Sequence, residues 1–489
     1  MRKLSPLNSS TGDQIVKISN PLVFKEYDIR GVVKKDLPGD LVFAIGKAFA
    51  KYVFEKKGNK YPKMAIGRDV RLSSPDLFNH ISNAFIESGV EVIDLGICPT
   101  PLVYFSLFHL PVDGAVMITG SHNPAEFNGF KLCHSKTTLF GKQIQEIRER
   151  IEKEDYISGN GKLEKFDIIS AYNEYQKKRH SNLKQGNQNL SVVVDSGNGT
   201  ASTVVPPLLR DLGCRVTELF CTLDGNFPNH HPDPTIPENL QALIERVRSE
   251  KADLGIAFDG DADRLGVVDE NGRILWGDEI MVVLAKDILK RHPGASIIGE
   301  VKCSQRMYDA INSSGGKAMM WKTGHSLIKN KMKEEKALLA GEMSGHLFFA
   351  EDYFGYDDAV HAALEVLRIL SDHKANKGKG LSELLYGLPD VIATPEIRID
   401  CDDTKKFEIV SKVSEYMSNH LKQRLTPVIK SINCIDGVRA EFEKGWGLVR
   451  ASNTQPILVS RFEAIASSEL ESYKALFNKA IELAKVSNK

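Results

Sequence analysis

Leu254-Gly255-Ile256-Ala257-Phe258-Asp259-Gly260-Asp261-Ala262-Asp263-Arg264-Leu265-Gly266-Val267-Val268 is the stretch on which the reading of this chain turns. Two apolar runs, Leu254 to Phe258 and Leu265 to Val268, have the length and composition of buried strands and enclose a short polar loop. Three carboxylates alternate there with Gly260 and Ala262, so a tight turn directs three oxygen ligands toward one hard divalent cation. Mg²⁺ fits best, because such a loop leaves room for water and phosphate oxygens. The spacing also fits an EF-hand, with Glu270 in the twelfth position. That reading fails at position six, which needs glycine and holds Arg264, and at the strand-like flanks. A merely solvated acidic turn is disfavoured by Arg264, which sets a phosphate-recognising fork beside the acids.

The same pattern, an apolar strand ending in a Gly/Ser/Asp-rich loop, occurs twice more. It is found at Gly114 to His122 and at Ala337 to His346. Each copy follows, some tens of residues later, another apolar strand that enters a polar loop: Ala65 to Asp69, Val192 to Asn198 and Ile297 to Lys302. Helical periodicity lies between them at Leu77 to Ser88, Val204 to Leu212 and Gln305 to Ser313, which makes each unit a β-α-β series with its polar loops on one edge. From about Asp390 the character changes. Short strands at Glu396 to Ile399, Gly437 to Phe442, Trp446 to Ala451 and Ile457 to Ala464 alternate with helices near Phe407 to Arg424 and Ser468 to Ala484, which describes a small α+β domain. The expected class is therefore α/β: three topologically similar domains with mixed sheets (1–168, 169–273, 274–388) and a smaller C-terminal α+β domain (389–489) around a central cleft.

Ser121 follows the apolar run Ala115 to Ile118 and precedes Pro124, which places it in a loop at the carboxyl end of a strand, where active sites of α/β sheets collect. The nucleophile elbow of the α/β-hydrolases is excluded, since Asn123 stands where that motif needs glycine. A serine hydroxyl is a weak nucleophile alone; His122, Lys131 and a cation on the aspartates are the available activators. The loop Arg450 to Pro456 offers a guanidinium, two hydroxyls, an amide and backbone donors, a set suited to a dianionic phosphate.

Composition narrows the partners. Of 489 residues 42% are hydrophobic and 26% charged, with Lys plus Arg equal to Asp plus Glu at 64 each, so no global field draws the chain to nucleic acid or an anionic membrane. The length suggests three or four domains. Met1 to Asn20 is polar, without an apolar signal core, and the expected location is cytoplasmic. Seven scattered cysteines without a C-x-x-C pair fit reduced thiols.

These loops together resemble those of the α-D-phosphohexomutase superfamily, most closely its bacterial phosphomannomutase/phosphoglucomutase branch. The resemblance rests on Tyr27-Asp28-Ile29-Arg30-Gly31, the serine loop, Asn128-Gly129-Phe130-Lys131, the aspartate loop, Thr323-Gly324-His325, Gly341 to His346 and Arg450 to Pro456, in that order. The departures are an N-terminal extension before about Pro21 and Gln455 where glutamate is common. The resemblance implies that Ser121 carries a phosphoryl group and that Asp259, Asp261 and Asp263, with a phosphoserine oxygen, hold one Mg²⁺. It also implies that a hexose 1- or 6-phosphate passes through a glucose or mannose 1,6-bisphosphate that turns around in the cleft. On the same footing Arg450, Ser452, Asn453 and Thr454 hold the idle phosphate, and Glu342 and Ser344 the sugar's O3 and O4. Tyr27, Lys302 and His325 are implied as further substrate contacts, and His346, Lys131 and Arg30 as candidates for proton transfer. Arg264 and Lys131 face the charge of the transferring group. The alternatives are a phosphoglucosamine mutase, a phosphoserine-dependent sugar-phosphate phosphatase and a silent sugar-phosphate sensor. The expected partners are small hexose phosphates, and the expected state is a monomer, with a dimer as the alternative.

Overall fold

The first three sheets share one switch in strand direction, and the polar loops lie at that switch. In this computed structural model, which describes residues 18–185 and 189–486, the first sheet runs in spatial order Ile29–Val32, Phe127–His134, Gly114–Ile118, Lys63–Arg68, Glu91–Ile97 and Lys162–Lys165. Gly114–Ile118 is parallel to Lys63–Arg68 and antiparallel to Phe127–His134. The second sheet sets Leu254–Phe258 between parallel Ser191–Asp195 and antiparallel Leu265–Asp269. The third sets Leu339–Gly341 between parallel Ser296–Glu300 and antiparallel Leu347–Phe349. Each reversal leaves the carboxyl end of a parallel strand, which puts the connecting loop on the ligand-binding edge of its sheet. These are the three strand-and-loop segments read from the sequence. Of the polar N-terminal stretch, residues 1–17 lie outside the described residues.

Helices Ser74–Glu87, Val205–Asp211 and Gln305–Ser313 occupy the helical periodicities. Thr100–His109 shows no such pattern because Thr100 to Leu107 are all buried, and a helix covered on every side has no polar face to mark. Its first turn ties two modules together. The Thr100 backbone N–H donates to the Asp261 carbonyl at 2.8 Å, and its hydroxyl donates to the Asp261 carboxylate at 2.5 Å.

One apolar core runs through all three modules, from Leu102 and Phe105 by way of Val194 and Phe258 to Met281, Leu347 and Leu364. Burying each such Leu or Phe contributes about 1.5–3 kcal/mol, so these modules form one body.

The C-terminal module is antiparallel, with Ile397–Asp400, Ile457–Ala464, Gly445–Ala451, Val438–Phe442 and Ile429–Asn433 as its main strands. Helices Lys406–Lys422 and Ser467–Val486 complete a separate core around Val413, Met417, Phe462 and Phe477. It meets the third module at a small patch of Val301, Trp446 and Leu448. Polar contacts surround that patch: Arg439, 3.8 Å over the Trp446 ring, donates to the carbonyls of Val301 and Cys303, and Arg461 donates to Lys302 and Asp278. The sequence pattern misses Ile429–Asn433, an edge strand with Lys430 and Ser431 exposed and a register shift between Ile429 and Ser431 that breaks the alternation. All seven cysteines are free. Among the described residues no helix is long and apolar enough to cross a membrane.

Candidate active site

The three reversal loops and the Arg450 loop line one open cleft. Ser121 stands on its wall in a left-handed backbone conformation, φ 49°, a strained geometry that persists only where surroundings enforce it. Arg71 enforces it. Its fully buried guanidinium pairs with Asp69 and donates to the carbonyls of Ser121, Asn123, Pro124 and Phe127. Asp69 in turn accepts from the Gly120 N–H and the Ser74 hydroxyl.

The aspartate loop meets this serine from the second module. Ser121 Oγ donates to Asp259 Oδ2 at 2.8 Å and lies 3.1 Å from His122 Nδ1. Glycine at 260 is required by that approach, since a side chain there would sit 2.6 Å from the Ser121 carbonyl oxygen. Asp259 Oδ1 accepts the N–H groups of Asp263 and Arg264, which closes the loop on itself.

Ligand oxygens of Asp259, Asp261 and Asp263 lie within 4.8 Å of one another, and all three residues are buried. Lys131 donates to Asp261 and Asp263, and His346 lies against Asp263. Among the described residues Asp261 Oδ1 has no hydrogen-bond partner, which leaves a buried carboxylate oxygen open to a ligand. Burial and the two neighbouring carboxylates push the Asp259 carboxyl well above its ordinary range. The donor set therefore fits a hard divalent metal ion.

His346 bridges the aspartate loop and the third module. Its Nδ1 is 2.6 Å from Glu342 Oε2 and its Nε2 3.2 Å from Asp263 Oδ1. Burial disfavours the imidazolium, yet Asp263 and Glu342 outweigh that and lift its pKa to about 9. Burial opposes ionisation of Glu342 as well, but His346 brings its pKa down to about 2. His122 and His325 are the reverse case: burial and nearby cations hold both well below the ordinary histidine value, as neutral rings. Lys131, despite burial, is held as an ammonium by Asp261 and Asp263.

A histidine whose folded pKa exceeds the unfolded value of about 6.5 stabilises the fold fully below that pH and loses its contribution as pH rises through the folded value. In chelator-treated protein, the melting-temperature advantage of wild type over His346→Gln is thus expected to be largest near pH 6 and to fade above pH 9. A gap that does not change with pH would remove the proposed charge pairing.

Tyr27, Arg30, Lys302, His325, Glu342, Ser344, Arg450, Ser452 and Thr454 all line the cleft with Ser121, His122, Lys131, Asp263, Arg264 and His346. Asp259 and Asp261 lie behind its wall. Asn453 turns elsewhere: its amide donates to the Tyr27 hydroxyl at 2.5 Å, while that hydroxyl donates to the Thr323 carbonyl. Arg30 pairs with Asp28 and donates to Asn123, and Arg450 pairs with Asp436.

Several residues that organise the site escape sequence reasoning. Arg71 and Asp69 hold the serine loop. Glu300 accepts from the Lys302 and Met343 N–H groups and the Thr323 hydroxyl, joining three loops of the third module. Asp436 accepts from both the Thr323 N–H and Arg450, which fastens the C-terminal loop to the third module. The available signal was a charged residue just after a strand, too common a feature to single them out.

A serine set against a carboxylate loop, in a cleft built by three like α/β modules and a fourth of another kind, defines a protein of the phosphohexomutase class. Family models agree along the chain: phosphoglucomutase/phosphomannomutase alpha/beta/alpha domains I, II and III match residues 21–158, 170–272 and 276–391, and the C-terminal domain matches 396–480. The chain is 45% identical over 460 residues to a phosphomannomutase/phosphoglucomutase of Pseudomonas aeruginosa, covering 94% of this chain and 95% of that one. It is 43% identical to a phosphoglucomutase of Neisseria gonorrhoeae, covering 94% and 96%. A crystal structure of a phosphoglucomutase/phosphomannomutase family protein from Burkholderia thailandensis superposes with a TM-score of 0.85 at 38% identity, covering 95% and 98%. The chain belongs to the phosphoglucomutase/phosphomannomutase family.

Proposed function

We propose that this phosphohexomutase interconverts the 1- and 6-phosphates of glucose and mannose through a phosphoserine at Ser121 and a 1,6-bisphosphate that turns around in the cleft. The observation that carries the reading is the Ser121 hydroxyl, 2.8 Å from the carboxylate loop, at one wall of a cleft whose other wall holds Arg450. Asp259, Asp261, Asp263 and an oxygen of phosphorylated Ser121 would hold Mg²⁺, which when bound supplies Lewis-acid stabilisation of the transferring phosphoryl group.

The remaining work falls to the chain's own residues. A sugar hydroxyl attacks phosphorus as the bond to Ser121 Oγ breaks, and the hydroxyl's proton passes to His346, which would accept it only after losing the proton that Asp263 and Glu342 hold on it in the metal-free site. Lys131 and Arg264 face the charge on the transferring group. Glu342, a carboxylate able to accept from two neighbouring hydroxyls, and Ser344 hold O3 and O4. No contact is assigned to O2, the position at which glucose and mannose differ. Tyr27, Lys302 and His325 complete the sugar site, and Arg450, Ser452 and Thr454 hold the idle phosphate, while the Asn453 amide positions Tyr27. Every residue used comes from one polypeptide, so the reading needs no partner chain.

The test is incubation with glucose 1-phosphate, Mg²⁺ and a trace of glucose 1,6-bisphosphate. Glucose 6-phosphate is expected without free phosphate, with activity lost in EDTA and restored by Mg²⁺. Free phosphate as the main product would make the protein a phosphatase, and absence of turnover a sensor.

A further inference from the structure

Six lysines and arginines line the cleft, and five are already paired with carboxylates within 4.0 Å. Arg30 has Asp28, Lys131 has Asp261 and Asp263, Arg264 has Asp233, Lys302 has Glu300 and Glu396, and Arg450 has Asp436. Arg398 is the sixth, and among the described residues no carboxylate pairs with it. It projects from Ile397–Asp400, an exposed position whose register partner, Val459, also lines the cleft. Its field reaches both ways. On one side it acts on His122, next to the serine, and on the other on Glu396, the carboxylate already tied to Lys302.

We propose that Arg398 is a phosphate contact for the bisphosphate in transit, holding the intermediate while neither of its phosphates occupies the serine site or the Arg450 loop. This deepens the reading given above and rests on it. A turning bisphosphate must release both ends, and at that moment a highly charged, well-hydrated molecule has every reason to leave. A paired guanidinium meets a new anion with part of its charge and donors already engaged. Arg398 has no paired carboxylate among the described residues, and an exposed arginine is long enough to follow a moving phosphate and bind it in a fork.

The experiment uses full-length enzyme carrying ³²P on its serine. It is mixed with excess unlabelled glucose 1-phosphate, and the label leaving as free glucose 1,6-bisphosphate is measured against label leaving as glucose 6-phosphate. Arg398→Ala is expected to raise bisphosphate escape per turnover about tenfold, the loss of one charge-assisted contact. Arg398→Lys, which keeps charge but not the fork, is expected to fall between. The same variants should need more added bisphosphate to sustain turnover. Escape equal to wild type in both variants would overturn the role of Arg398 while leaving the phosphoserine reading intact. A wild-type enzyme that takes no label on serine would overturn that reading itself.

Discussion

Ser121→Ala is expected to lower mutase turnover by on the order of 10⁴-fold or more, the scale of losing a nucleophile that forms a covalent intermediate, while hexose phosphates still bind. Only one oxygen is removed. The loop that presents it is fixed from outside by Arg71 and Asp69, through backbone groups that an alanine retains. Apart from Tyr27, the proposed sugar and distant-phosphate contacts come from other modules. A coupled assay and titration calorimetry measure the two halves of this expectation, and transfer of label from a bisphosphate donor to the protein should disappear. A variant near the wild-type rate would show that another group takes the phosphoryl.

Arg71→Leu should be nearly as damaging by a different route. The substitution strands the buried Asp69 carboxylate and leaves the carbonyls of Ser121, Asn123, Pro124 and Phe127 without their donor. Breaking a buried pair of this kind costs about 3–5 kcal/mol. Urea unfolding should show that loss, and under conditions where the variant is still folded, serine labelling should fall as well because the left-handed turn at Ser121 is no longer held. Arg71→Lys is expected to rescue little, since an ammonium lacks the planar fork that reaches several acceptors at once. Stability within 1 kcal/mol of wild type with normal labelling, against the 3–5 kcal/mol typical of a broken buried pair, would remove Arg71 from this role.

The fold was legible wherever a strand ran straight into a polar loop, because burial and turn chemistry leave different residue types in adjacent positions. Three such junctions at Ile118, Phe258 and Gly341 supply the three switches of strand direction. Helix Thr100–His109 and strand Ile429–Asn433 were not legible, the first for want of a polar face and the second for want of a buried one. Ser121, the aspartates and Arg264 stood out by residue type and position, whereas Tyr27, Arg30, Lys302, His325, Glu342, Ser344 and His346 were picked out by the resemblance of their motifs to a known family. Their meeting could not be picked out: Ser121 and Asp259 are 138 positions apart, and they are brought together by the core shared between their modules and by the packing of Thr100–His109 against the aspartate loop. Asn453 shows the same limit in reverse, since its place in a phosphate-like loop does not reveal that its amide is spent on Tyr27.

The separate core of the C-terminal module divides the ligand's two ends unequally. On the proposed reading the phosphoryl group moves between modules that share one apolar core. The far end, on the same reading, is gripped by a part with its own core, joined through buried guanidinium groups, one tryptophan and ion pairs. Any adjustment to a sugar of different length or ring substitution would then fall on the distant grip, leaving the chemistry at the serine undisturbed.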